Sequence, residues 1–168
     1  YQDTNNNNNN NRMDIHIIIA TSIKINKIIL DRLENIFKKL NIKYDITVEY
    51  RDKSNFISFN KAYDKIKSKI NSKTNIIFVD FKYLLKMLQY INRLIIPYNN
   101  IAILLDLSDK NMMERNPQIS YILTKKLMNK IGKFPPVNIP NIYINSAMFY
   151  KMITKNKLSY KFMKFFMS

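Results

Sequence analysis

Short β-branched runs at residues 15–20, 44–50, 76–79 and 101–105 alternate with longer segments of helical period, and few folds accommodate that order. Such alternation is the pattern of βα units wound around a mostly parallel sheet. After the first run, residues 26–40 place Ile29, Leu33, Ile36, Phe37 and Leu40 on one helical face. The run at 44–50 alternates Tyr44, Ile46, Val48 and Tyr50 with polar residues, which predicts an edge strand. A second helix is expected over 58–70, with Ala62, Ile66 and Ile70 four residues apart. The continuously apolar run at 76–79 predicts a central strand closed by Asp80, with a helix over 81–94 directly behind it.

The fourth strand, 101–105, ends in Asp106, and 109–117 is a polar connection. Pro117 suits the first turn of a helix over 119–131, which Gly132 stops. Pro135, Pro136 and Pro140 make 134–140 an extended stretch. A short fifth strand at 142–144 and closing helices over 147–166 complete the pattern. The expected fold is a three-layer α/β sandwich of flavodoxin-like or Rossmann-like type, with a mostly parallel five-stranded sheet of order 2-1-3-4-5 or, as the alternative, 3-2-1-4-5. Residues 1–13, with the asparagine run 5–11, are expected to be a disordered leader to a single domain over 14–168.

Several mechanisms are excluded. Without cysteine there is no disulfide framework and no thiolate metal site. Gly132 is the only glycine, so neither the dinucleotide fingerprint nor the P-loop is present; the turn after the first strand reads Ala20, Thr21, Ser22, Ile23, Lys24. Thr21 and Ser22 can cradle a phosphate at a helix start, but capping is the simpler role. Asp52, Asp80 and Asp106 follow three strands at the edge where open α/β sheets bind ligands, so Asp80 and Asp106 with Thr21 make a weak magnesium candidate beside the plainer reading as caps. His16 lies in a strand with no nearby partner, and no nucleophile triad can be built on it. No cofactor is expected.

Residues 76–80 resemble the phosphoacceptor strand of receiver domains, and Leu107-Ser108 resembles the hydroxyl position of that family. The chain departs from that pattern where receivers carry an acidic pair after the first strand and a lysine after the fifth; here stand Ala20-Thr21-Ser22 and Ile144-Asn145-Ser146. Residues 75–94 resemble one unit of the Rossmann-like small-subunit ribosomal protein family, over a generic strand-plus-helix pattern.

Charge supplies the remaining signal. Lysine outnumbers arginine 23 to 5, a ratio that an AT-rich genome produces by itself, so position informs more than amount. Residues 116–168 carry nine lysines and no acidic residue. Lys126, Lys130 and Lys133, with Lys125 beside them, share one face of the expected helix after Pro117. Lys157, Lys161 and Lys164 repeat that spacing, with Lys151 and Lys155 upstream. Each row also fits an ordinary solvated helix face, but the lack of balancing acids at i±4 favours a polyanion. Tyr121, Phe134, Tyr143, Phe149, Tyr150 and Tyr160 are candidates to stack on unpaired bases. The expectation is a non-enzymatic RNA-binding component of a ribonucleoprotein particle, of the organellar ribosomal type, with RNA and neighbouring proteins as partners. The alternatives are a nucleotide- or metal-binding enzyme or signalling domain and a protein-interaction scaffold. No apolar run reaches the length of a membrane span, membrane-surface binding ranks third, and an intracellular location such as the mitochondrial matrix is expected.

Overall fold

The computed structural model describes residues 14–89, 101–106 and 120–164. Six strands form one sheet: β1 (Asp14–Thr21), β2 (Lys43–Tyr50), β3 (Asn75–Asp80), β4 (Ile101–Asp106), β5 (Ser120–Thr124) and β6 (Ser159–Lys164). Their order across the sheet is β2-β1-β3-β5-β4-β6. β1 pairs in parallel with β2 and β3, and β4 in parallel with β6, while β5 runs antiparallel between β3 and β4. Five strands therefore share one direction, giving the three-layer, mostly parallel α/β architecture.

Helices cover both faces. α1 (Lys27–Lys39) and α3 (Phe81–Gln89) lie on one face, burying Leu33, Phe37, Leu84 and Met87 against Ile17, Ile19, Ile77 and Val79. α2 (Asn55–Ile66), α4 (Lys125–Ile131) and α5 (Ile142–Lys155) cover the other. Their core is aromatic: Phe134 sits 4.7 to 5.4 Å by ring centroid from Phe56, Phe59, Phe78, Tyr121 and Phe149, and is fully buried. Each such ring removes enough apolar surface from water to contribute roughly 1.5–3 kcal/mol. Helix starts follow from side-chain caps: Asn26, Ser54, Thr124 and Asn141 each accept a first-turn N–H.

The edge position of β2 and the central position of β3 agree with their patterns; every β3 residue is buried. The order beyond β3 does not follow 2-1-3-4-5 or 3-2-1-4-5, and the sheet has six strands. Residues 120–124, expected within a helix, form β5, because Tyr121 and Leu123 are buried on the aromatic face and Ile122 on the opposite one. A strand buried on both faces shows no alternation, so periodicity could not separate it from a buried helix. Residues 142–144 open α5 instead of forming a strand, since Asn141 after Pro140 is a helix cap. Residues 159–164 form an edge strand after the chain turns through Lys157 at φ 54°. The leader, the end of the helix over 81–94, the connection 109–117 and the final residues 165–168 lie outside the described residues.

Candidate functional site

β1 continues through α1 to β2 on one side of it, whereas the chain then crosses the sheet through α2 to β3 on the other side. The strand order thus reverses at β1 and β3, and their carboxyl ends open a crevice of the kind where doubly wound sheets take ligands. A cavity of about 310 Å³ lies at this edge, between the starts of α2 and α5. Its floor is aromatic, from Phe56, Phe59, Tyr83 and Tyr121, and Arg51, Lys53 and Lys82 line it with positive charge. Asp80 is the one carboxylate among the described residues of its lining.

Local structure fixes these groups. Arg51 follows β2 directly, and its N–H donates to the Thr21 carbonyl at 2.7 Å, extending the β1–β2 pairing by one bond. Its guanidinium Nε lies 3.0 Å from Asp80 Oδ2, while Asp80 Oδ1 accepts the Lys82 N–H at the start of α3. The aspartate therefore has both a cation and a helix end to stabilise its charge. Asn138 braces the opposite wall: its Oδ1 accepts the N–H groups of Lys53 and Ser54, and its Nδ2 donates to Asp52. Asn55 and Asn145 line the cavity, and the Oδ1 atom of each is buried without a donor. The Asn145 amide nitrogen is committed to the Ile139 carbonyl, which fixes which end is left over. A buried acceptor without a donor is costly, so both oxygens weaken the packing of the cavity wall. Burial raises the Tyr121 hydroxyl far above its usual range, against a hydrogen bond to Ser146, so it stays protonated.

The residues expected from sequence separate. Asp80 lines the cavity; Asp106, at the same sheet edge, is paired with Lys164 at 3.1 Å. Thr21 closes a local turn with Ile23 rather than capping α1, which Asn26 caps, and Ser22 is exposed. Among the described residues no cluster of three or more His, Cys, Asp or Glu side chains can hold a metal ion. His16 Nε2 is 2.7 Å from Thr47 Oγ1, and burial lowers its pKa against the opposing pull of Asp45 and Asp14. It belongs to a larger cavity, about 490 Å³, at the opposite edge of the sheet. That edge is away from the strand carboxyl ends, so the smaller pocket is the better site.

Lys126, Lys130, Lys133, Lys151, Lys155 and Lys157 are exposed, while Lys125 donates to the Ile70 carbonyl. Lys157, Lys161 and Lys164 form no helical row: Lys157 lies in the turn before β6, and Lys161 and Lys164 fall on opposite sides of that strand. Of the aromatic candidates, Tyr121, Phe134 and Phe149 are core residues unavailable to bases. Arg51, Lys53, Lys82, Asn55 and Asn145 were missed. The signal for the first two was the dense Arg51-Asp52-Lys53-Ser54 sequence between a strand end and a helix start.

Fold and crevice together define a three-layer α/β domain of Rossmann-like type with a cationic pocket at the carboxyl edge of its sheet. No family model matches the chain, and no curated protein matches it. Among solved structures it is similar to the catalytic domain of Drosophila β1,4-galactosyltransferase 7 in complex with xylobiose, with a TM-score of 0.57 and 8% identity. The match covers 89% of this chain and 65% of the Drosophila one, so this chain spans less than two thirds of that domain. At such identity the likeness concerns the fold alone. Among the described residues no helix is long and apolar enough to cross a membrane.

Proposed function

We propose that this domain binds a phosphorylated small molecule carrying a ring and sugar hydroxyls, of the nucleotide or nucleotide-sugar class, in the carboxyl-edge pocket. The observation that carries the proposal is charge: Arg51, Lys53 and Lys82 converge on a lining in which Asp80, the one carboxylate among the described residues, is already paired. An anion therefore meets the Lys53 and Lys82 ammonium groups beside the paired Arg51, and phosphate accepts from guanidinium and ammonium groups alike. The half-buried Tyr83 ring suits a planar ring, and Asn55 and Asn145 add polar side chains to the same lining. The Drosophila protein is a galactosyltransferase solved with xylobiose, so this architecture is one that a sugar-handling domain also uses.

Thermal unfolding with added ligand tests the reading, because a ligand that binds only the native state raises Tm with concentration. Nucleoside diphosphates and their sugar conjugates are expected to raise Tm more than inorganic phosphate does. Lys53→Ala and Lys82→Ala, both at exposed positions, are expected to leave the unliganded Tm unchanged and to weaken binding roughly tenfold each, as loss of one charge-assisted contact does. No rise at millimolar nucleotide, or full binding by both variants, would refute the proposal.

A further inference from the structure

A second surface, independent of the strand-end pocket, lies on the outer edge of the sheet. β6 is the edge strand beyond β4, and along one face of it stand Tyr160 and Phe162, 37% and 39% exposed. Tyr150 of α5 completes a trio with ring centroids 5.3 Å from Tyr160 and 5.9 Å from Phe162, and Tyr160 and Phe162 are 5.4 Å apart. The Tyr150 and Tyr160 hydroxyls are 2.7 Å apart, which holds those two rings in one arrangement. Tyr150 packs against the aromatic core, and the Tyr160 and Phe162 rings stand beyond it, exposed. Lys151, Lys155 and Lys157 flank the trio in sequence and are exposed, Lys161 stands on the other face of β6, and no acidic residue occurs anywhere in 116–168.

We propose that Tyr150, Tyr160 and Phe162, with the lysines of α5 and of the turn before β6, form a binding surface for single-stranded nucleic acid. Ring faces stack on unpaired bases without regard to sequence, and flexible ammonium groups follow the phosphates; the combination of aromatic platform and cationic surround is how single strands are held. A duplex hides its base faces and so uses only the lysines. A lipid surface is disfavoured because the apolar side of α5, including Phe149 and Ile153, is already committed to the core and is not free to lie in a bilayer. RNA and DNA strands share the chemistry that this surface reads, and the 2′-hydroxyl is what would separate them.

Fluorescence anisotropy with labelled RNA and DNA strands of about twelve nucleotides, the matching duplex and anionic vesicles tests the surface. The expected result is tighter binding to a single strand than to the duplex, with affinity falling steeply as salt rises. Tyr160→Ala and Phe162→Ala should each weaken single-strand binding roughly tenfold while leaving the weak duplex binding unchanged, and Tyr160→Phe should bind nearly as wild type. Both positions are exposed on an edge strand, and far-UV circular dichroism of each variant verifies the fold. Preference for one strand type identifies RNA or DNA and upholds the proposal. Equal affinity for strand and duplex, unchanged binding by both alanine variants, or binding to vesicles alone would overturn it. Lys53→Ala and Lys82→Ala serve as controls, since they weaken nucleotide binding in the pocket and leave the strand-binding surface intact.

Discussion

Asp80 concentrates the chemistry of the pocket, since one carboxylate serves both an ion pair with Arg51 and the start of α3. Its side chain is 11% exposed, so removing the guanidinium leaves a largely desolvated charge without its partner. Arg51→Ala is therefore expected to lower unfolding free energy by about 2 kcal/mol in urea denaturation, a cost reduced by the 29% exposure of the arginine and by the helix end that remains. His16 makes a different contribution. Burial holds its pKa below 6.5, with Asp45 and Asp14 opposing that shift, so as pH falls through this value the unfolded chain takes up a proton before the folded one does. The stability it contributes is complete above pH 6.5 and declines below it, down to the lowered native pKa. The urea midpoint should drop between pH 7.5 and 5.5, and His16→Gln, which can retain a hydrogen bond to Thr47, should show a smaller drop; an equal drop in both proteins would remove His16 from the explanation.

Helix termini and strand faces account for what could be read at the scale of elements. The strands β1 to β4 were legible because alternation or continuous β-branched runs reported their position directly, as in β2 at the edge and β3 at the centre. β5 was not, because Tyr121, Ile122 and Leu123 are buried on both sides of the sheet and carry no period. β6 carried a period of two in Tyr160 and Phe162, but lysines at three- and four-residue spacing imitated a helix face. Gly132, by contrast, was correctly placed as a helix stop: it has φ 85° and ψ −61° and closes α4 by donating its N–H to Met128. An added Cβ there meets nothing within 4 Å, so the cost of Gly132→Ala is confined to the backbone, about 1–2 kcal/mol. Asn141→Ala should cost about 1 kcal/mol through loss of two first-turn hydrogen bonds in α5. Phe134→Ala should exceed both, at about 3–5 kcal/mol, because its ring joins the aromatic cluster under α2, α4 and α5. Urea denaturation ranks the three.

Across the whole molecule, the chain uses its two ends differently. The pocket draws on residues 51–56, 80–83 and 140–145, whereas the aromatic and lysine-bearing edge draws on 150–162. The acid-free last third was visible in sequence, but its geometry was not, since Lys164 turns back to Asp106 and Lys125 to the Ile70 carbonyl. The pocket was visible only as Asp80 at a strand end; apart from Lys82 beside it, its polar residues come from the turn after β2, the start of α2 and the first turn of α5, distant in sequence and joined by the sheet order. Chemical-shift mapping in amide correlation spectra during titration with a nucleoside diphosphate tests the pocket most directly. Shifts should cluster at Arg51–Phe56, Asp80–Tyr83 and Ile142–Asn145, saturate together and vanish at lower affinity in Lys82→Ala. Shifts confined to residues 150–164, or no saturable shifts at all, would contradict a nucleotide site at the carboxyl edge of this sheet.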